Sequence, residues 1–212
     1  MTKQRQVCYI YVVYDASHTI YSVDPLVNLY IDAAWIAVGG VWLAGAFRTK
    51  RAAQAQTLGS RLAQASLPLA GAVLLFNSHL AIGPLAWRFV PDSAFIAYTG
   101  LALTWAGTGF AIWARVYLGQ NWSANVTIKE GHQLRQSGPY AVVRHPIYSG
   151  FLLAFLGTAL ALGQVRGLAA GALALLGWRL KSGMEEKFME QRFGAEYAAY
   201  QRRVKALIPF VL

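Results

Sequence analysis

The chain has 212 residues, 56% hydrophobic and 13% charged, with a formal net charge of +10. Soluble domains carry about 25% charged residues, so this balance excludes an ordinary soluble domain and points to one all-α, integral membrane domain. The basic excess lies beside apolar runs, as on the cytosolic flank of a membrane protein, and no aromatic-basic face of a nucleic-acid binder is present.

Residues 1–24 read as an irregular N-terminal segment. Its apolar part, Val7 to Tyr14, is too short for a signal peptide, and its single cysteine, Cys8, rules out an internal disulfide or a Cys-x-x-Cys metal knuckle. Three spans are expected over residues 25–118. Leu26 to Phe47 is the first, with Asp32 near its start, either at the interface or as an intramembrane acid. Leu62 to Ile82 is the second. It contains Pro68, and Asn77 and His79 read as inter-helical hydrogen-bond partners. Ala94 to Leu118 is the third. Gly100, Gly107 and Gly109 mark close helix contacts in it, and tight packing is the reading of Gly107-Thr108-Gly109 rather than a nucleotide loop.

Residues 119–212 form the remaining region. A polar linker runs from Gly119 to His145. Ile147 to Gly163 and Gly167 to Leu180 follow as two apolar runs joined by Gln164-Val165-Arg166. The second is roughly 21 Å long as a helix, short of the ~30 Å hydrocarbon core. The pair therefore reads as a tight helical hairpin whose second helix leaves the lipid through Lys181 toward Phe193. Glycines at 150, 157, 163, 167, 171 and 177 permit close backbone approach. From Met184 to Val204 the pattern is helical, with Met189, Phe193, Tyr197, Tyr200 and Val204 on one face, a break at Gly194 and an end at Pro209. Five spans with a cytosolic C-terminus and an outside N-terminus put every Lys and Arg on the cytosolic side except Lys3, Arg5, Arg88 and Arg166.

The chemistry concentrates in two polar groups, His132 to Tyr148 before the hairpin and Lys181 to Glu186 after it. A hairpin returns its end to the side where it began, so the groups meet at the cytosolic face. Lys181 and Glu185, four apart, share a helix face. No Gly-rich phosphate cradle follows a strand, and no HExxH or GxSxG is present. His132 and His145 do not make a metal set, so no metal is expected. Aromatic rings beside carboxylates and bases suit a cationic, ring-bearing cofactor such as S-adenosylmethionine.

At these residues the chain resembles the isoprenylcysteine carboxyl methyltransferases and the wider membrane phospholipid methyltransferases. The matching text is Leu118-Gly119-Gln120-Asn121-Trp122-Ser123, His132-x-Leu134-x-x-x-Gly138-Pro139-Tyr140 and Arg144-His145-Pro146-x-Tyr148-x-Gly150. After the hairpin come Glu185-Glu186, Phe193-Gly194-x-x-Tyr197-x-x-Tyr200, Arg203-Val204 and Ile208-Pro209. The resemblance implies a helical membrane enzyme of five or so spans binding S-adenosylmethionine from the cytosol. By position the cofactor would meet Asn125, His132, Gln133, Leu134, Arg135, Tyr140, His145, Pro146, Ile147 and Tyr148, with Glu185 and Glu186 at its charged end. The family's eukaryotic members share an Arg at the position of Lys181, which engages the substrate carboxylate. Lys181 keeps the charge without the planar two-donor fork, and a snorkelling residue at the span end is its other reading.

Three functions follow as expectations. The first is O-methylation of the carboxylate of a lipophilic, isoprenylcysteine-like substrate that enters from the bilayer, with Lys181 or Arg144 holding the carboxylate. The second is N-methylation of a phospholipid, which requires a base. The third is a non-catalytic membrane protein or membrane reductase sharing the helical arrangement. Arg144 has a second reading, as a pin that fixes its loop to backbone carbonyls.

Overall fold

The computed structural model describes residues 24–46, 58–119, 134–209 and 211. Its secondary structure is helical apart from one isolated antiparallel bridge between Arg88 and Gln164. Five long helices are followed by a short one: α1 Pro25–Ala46, α2 Leu58–Phe76, α3 Ala94–Leu118, α4 Pro146–Leu162, α5 Val165–Phe193 and α6 Ala195–Arg203. Proline opens α1 and α4, at the one helical position where its missing N–H costs nothing. Gly163 closes α4 at φ 69°, and Gly194 divides α5 from α6 at φ 49°. Both angles strain a residue with a side chain.

The five long helices alternate in direction. Tyr98 donates a 2.9 Å hydrogen bond to Asp24, tying the start of α3 to the start of α1. At their other ends Gly45 of α1 lies against the Arg115 guanidinium. α4 then runs back along α3. Small residues recur on both at the same spacing, Gly100, Thr104, Gly107 and Ala111 on α3 and Gly150, Ala154, Gly157 and Ala161 on α4. A Cβ on Gly100 would come within 2.6 Å of the Gly157 carbonyl oxygen, and one on Gly150 within 2.6 Å of the Ala111 nitrogen. The backbones thus touch through the missing side chains. This is the tight packing expected of Gly107. The helix served is α3, however, while the hairpin partner α5 lays Gly167 on Ala159 of α4 and Gly177 on Pro68 of α2. The core gathers Val27, Ile31, Leu75, Phe155 and Trp178 from four helices.

Four of the expected segments lie within a few residues of their helices; the second stops early. α2 ends at Phe76, and Ser78–Leu80 winds into a 3-10 turn in which the His79 N–H donates to the Asn77 side chain at 3.0 Å. Asn77 and His79 therefore lie beyond the helix, and the Asn77 carbonyl accepts from Arg166. Residues 165–193 form one helix, as the exit through Lys181 implied. The final helix stops at Arg203, before Pro209, because residues 204–207 turn to pair with the loop ahead of α4. Two helices, α1 and α3, are long and apolar enough to cross a membrane.

Candidate functional site

The site lies where α4 begins, α5 passes Lys181 to Glu186, and the residues after α6 fold back. Gly138–Ala141 forms a 3-10 turn opened by Gly138 at φ 58°, whose bare Cα rests against the Tyr117 ring. The chain then extends, and the N–H groups of Arg144 and His145 donate to the carbonyls of Lys205 and Ala206 at 2.8 and 2.9 Å. Tyr200 donates to the Tyr140 carbonyl and Ser149 to the Leu207 carbonyl. The tail is thus stitched to the polar stretch at four successive places.

Inside this frame the charges pair. Arg144 donates through Nε and Nη2 to Glu186 Oε1 at 2.9 and 2.7 Å, and through Nη1 to the carbonyls of Val204 and Gln201. His145 Nε2 lies 3.0 Å from the same Glu186 oxygen, and Nδ1 lies 3.3 Å from Glu185 Oε2. The Tyr148 hydroxyl donates to Glu185 Oε1 at 2.6 Å. Lys181 Nζ sits 5.6 Å above the Tyr148 ring, a cation over a π face. The Tyr148 ring lies nearly parallel to both His145 and Trp178, with centroids 5.6 and 6.1 Å away.

Burial opposes charge on Glu186, but hydrogen bonds from His145 and Arg144 more than offset it and hold the carboxyl down at about 2. Glu185 is lowered in the same way: burial works against it, and His145, Lys181 and Tyr148 outweigh that. Burial likewise works against a charged His145, yet its two carboxylate partners raise it above an ordinary histidine. Tyr140, Tyr197 and Tyr200 are pushed up, chiefly by burial, and stay phenols.

The structure brings Arg144, His145, Tyr148, Glu185 and Glu186 into one network, with Lys181 at its edge and Tyr140 tied in through Tyr200. Pro146 and Ile147 are buried in the first turn of α4. Leu134 is half-buried and Arg135 exposed at the border of the described segment. Asn125, His132 and Gln133 lie outside the described residues. For Arg144 the geometry favours the loop pin over the substrate cation. Its guanidinium is committed to Glu186 and two tail carbonyls and is mostly buried. Glu186 is committed too, to Arg144 and His145. Glu185 keeps more room: two of roughly four lone-pair positions are used, and its side chain is 22% exposed. Sequence reasoning missed Gln201, which donates to Glu190 at 2.9 Å, Ser149 and the ring of Trp178. The tyrosine spacing in the tail was the available signal for Gln201, which follows Tyr200.

A carboxylate and an ammonium thus stand one helical turn apart, beside nearly parallel aromatic rings at the end of an antiparallel helix bundle. The profile of the phospholipid methyltransferase family matches residues 95–196, from the first turn of α3 to the first turn of α6. Protein-S-isoprenylcysteine O-methyltransferase B of Arabidopsis thaliana is 29% identical over 154 residues, 65% of this chain and 77% of that one. The protein-S-isoprenylcysteine O-methyltransferase of Schizosaccharomyces pombe is 36% identical over 103 residues, 46% of this chain and 43% of that one. A solved structure of a eukaryotic intramembrane Ras methyltransferase, an isoprenylcysteine carboxyl methyltransferase, aligns at a TM-score of 0.49 and 24% identity, covering 75% of this chain and 55% of that one. The chain thus spans most of the plant relative but about half or less of the other two. The likeness to the phospholipid and isoprenylcysteine methyltransferases thus centres on residues 95–196, just under half of the chain.

Proposed function

We propose that the protein is an S-adenosylmethionine-dependent membrane methyltransferase that esterifies the carboxylate of a lipophilic, isoprenylcysteine-like substrate. The observation that carries this reading is the pairing around Tyr148: Glu185 below it, hydrogen-bonded and with open acceptor capacity, and Lys181 above it on the same face of α5. S-adenosylmethionine, when bound, supplies a methyl group on a sulfonium. The residues fit that group: Glu185 would hold its ammonium, and Tyr140, Tyr148 and the loop before Gly138 would line its ring end.

The chain's own contribution is positioning and the exclusion of water. Lys181 holds and orients the substrate carboxylate, which is ionised at neutral pH and needs no base. An amine nucleophile would have to lose a proton first. Here the histidine is engaged by two carboxylates and the tyrosine hydroxyl by a third contact. This supports the ester-forming reaction over phospholipid N-methylation. Arg144 and Glu186 keep the tail on the loop and so keep Glu185 in place.

The five alternating helices act as five traverses, with the site and tail in the cytosol and the N-terminus outside. Leu29, Ile36 and Leu43 are exposed on one face of α1 at a spacing of seven, as a lipid-facing stripe requires. The lipophilic substrate enters sideways from the bilayer and the cofactor from the cytosol. To test this, purified protein is incubated with methyl-labelled S-adenosylmethionine and either a farnesylcysteine analogue or phosphatidylethanolamine. Base-labile label on the farnesylcysteine analogue is expected. Base-stable label on the phospholipid would reverse the choice, and no transfer to either would sink the enzymatic reading.

A further inference from the structure

His145 is unusual in having both ring nitrogens against carboxylates. Nε2 is 3.0 Å from Glu186 Oε1, Nδ1 is 3.3 Å from Glu185 Oε2, and the side chain is 9% exposed. A neutral imidazole has one N–H and one lone pair. In either tautomer one nitrogen would therefore turn its lone pair toward a carboxylate oxygen, acceptor against acceptor. The imidazolium donates on both sides.

The ring has little freedom to avoid that choice. Its residue is anchored by the bond from its own N–H to the Ala206 carbonyl. Its plane lies 7° from that of Tyr148, with centroids 5.6 Å apart. Tyr148 in turn holds the second oxygen of Glu185. Glu185 is thus gripped at Oε1 by a phenol and at Oε2 by the histidine. The charged and titratable groups around the ring come from every neighbouring element. α5 supplies Glu185, Glu186 and, one turn earlier, Lys181. The loop supplies Arg144, α4 supplies Tyr148, and the tail supplies Tyr197 and Tyr200, which interact electrostatically with Arg144 and Glu186.

Resting on the functional reading above, we propose that His145 is a positioning residue, held as an imidazolium between two carboxylates, that aims Glu185 at the charged end of the methyl donor. It gives and takes no proton in the reaction. Burial alone would discharge the ring, but the two carboxylates overcome it and hold its proton to higher pH than an ordinary histidine. Once the proton leaves, either Glu185 Oε2 or Glu186 Oε1 faces a lone pair, the two carboxylates are no longer held together through the ring, Glu185 loses its fixed aim, and the donor site loosens.

The full chain in detergent is titrated calorimetrically with S-adenosylhomocysteine, which keeps the ammonium, from about pH 6 to about pH 9, and the charge of the His145 ring is read by NMR on 15N-histidine-labelled protein. Affinity is expected to fall about tenfold as the ring loses its proton, with KM for the methyl donor rising in parallel and kcat unchanged. His145→Gln retains one donor and should bind more weakly with a flat pH profile. Glu186→Gln should lower the pH at which the ring titrates. The wild-type profile and ring signal decide the matter should either variant fail to fold. A neutral ring near pH 7, or binding that is intact and indifferent to the ring's titration, overturns the proposal alone. No binding at any pH overturns the methyl-donor reading and the role of His145 with it.

Discussion

At each end of the helix bundle an arginine joins distant segments, Arg166 fully buried and Arg144 mostly so, and the two keep different company. At one end Arg166, 1% exposed, donates through Nη1 to the carbonyls of Leu74, Leu75 and Asn77 and through Nε to the Gln164 side chain. Those partners are neutral, and two of them are in the last turn of α2, where a cation also meets the negative end of the helix dipole. At the other end Arg144 also gathers carbonyls, from Gln201 and Val204, but turns its remaining donors to Glu186. Glu186 shares His145, and His145 shares Glu185. Both arginines join segments far apart in sequence. The first meets carbonyls at the end of a helix; the second continues into carboxylates, an imidazole and an ammonium, groups whose charge answers to a ligand or to pH.

Substitutions can break or sharpen that contrast. The largest effect should come from a change that serves both ends at once. Gly157→Leu drives a side chain into the α3 backbone, where a Cβ already meets the Gly100 carbonyl oxygen at 2.6 Å. With overpacking worth more than about 3 kcal/mol, size-exclusion chromatography in detergent should recover no folded protein. Arg144→Met comes next. It leaves Glu186 to His145 and a long 3.4 Å contact from Gln201 and releases the tail carbonyls, at about 3 kcal/mol. Thermal stability and S-adenosylhomocysteine binding should both fall, and proteolysis of the tail should rise. Arg166→Met leaves buried carbonyls without a donor at about 2 kcal/mol; stability falls while binding per folded molecule is unchanged. If the Arg166 variant lost binding as severely as the Arg144 variant, the two ends would not differ as described.

Lys181→Met should raise KM for a carboxylate substrate about tenfold, in the range of a charge-assisted hydrogen bond, with Lys181→Arg retaining most of the activity. The smallest effect is on stability against pH. His145 is raised from 6.5, so its contribution is full below 6.5 and is lost as pH climbs through the raised value. Glu186 is lowered from 4.5 to about 2, so its contribution is full above 4.5 and is lost as pH falls toward 2. Thermal denaturation should therefore show a plateau between 4.5 and 6.5 with losses on both sides. Glu186→Gln should shrink the acid-side loss, leaving the part that Glu185 carries.

The long helices were legible because apolar runs bounded by Pro and Gly leave few alternatives. α3 spans the residues its composition indicates, and Gly194 breaks the last long helix where the glycine itself marked a break in the tail's helical pattern. The end of α2 was not legible, since Leu80 to Ile82 prolong the apolar run while Asn77 turns the backbone locally. Nor did spacing reveal that the glycines of α4 face α3, because small residues say that something approaches and not which helix. At the site, the meeting of Glu185 and Glu186 with the Arg144-His145-Pro146-x-Tyr148 stretch followed from the hairpin alone. Arg144 was read two ways because its partner is 42 positions away and its carbonyls belong to a tail that pairs through backbone atoms. Backbone pairing leaves no mark on side-chain pattern, so the strap over the site was visible only in three dimensions.

The central claim is that one end of the bundle holds a methyl-donor site organised on Glu185 while the other only closes the fold. Calorimetry of S-adenosylhomocysteine on wild type, Glu185→Gln and Arg166→Met tests it directly. Wild type and Arg166→Met should bind alike, and Glu185→Gln should bind at least about tenfold more weakly, as expected for the loss of a charge-assisted hydrogen bond. Equal binding by wild type and Glu185→Gln would contradict the claim.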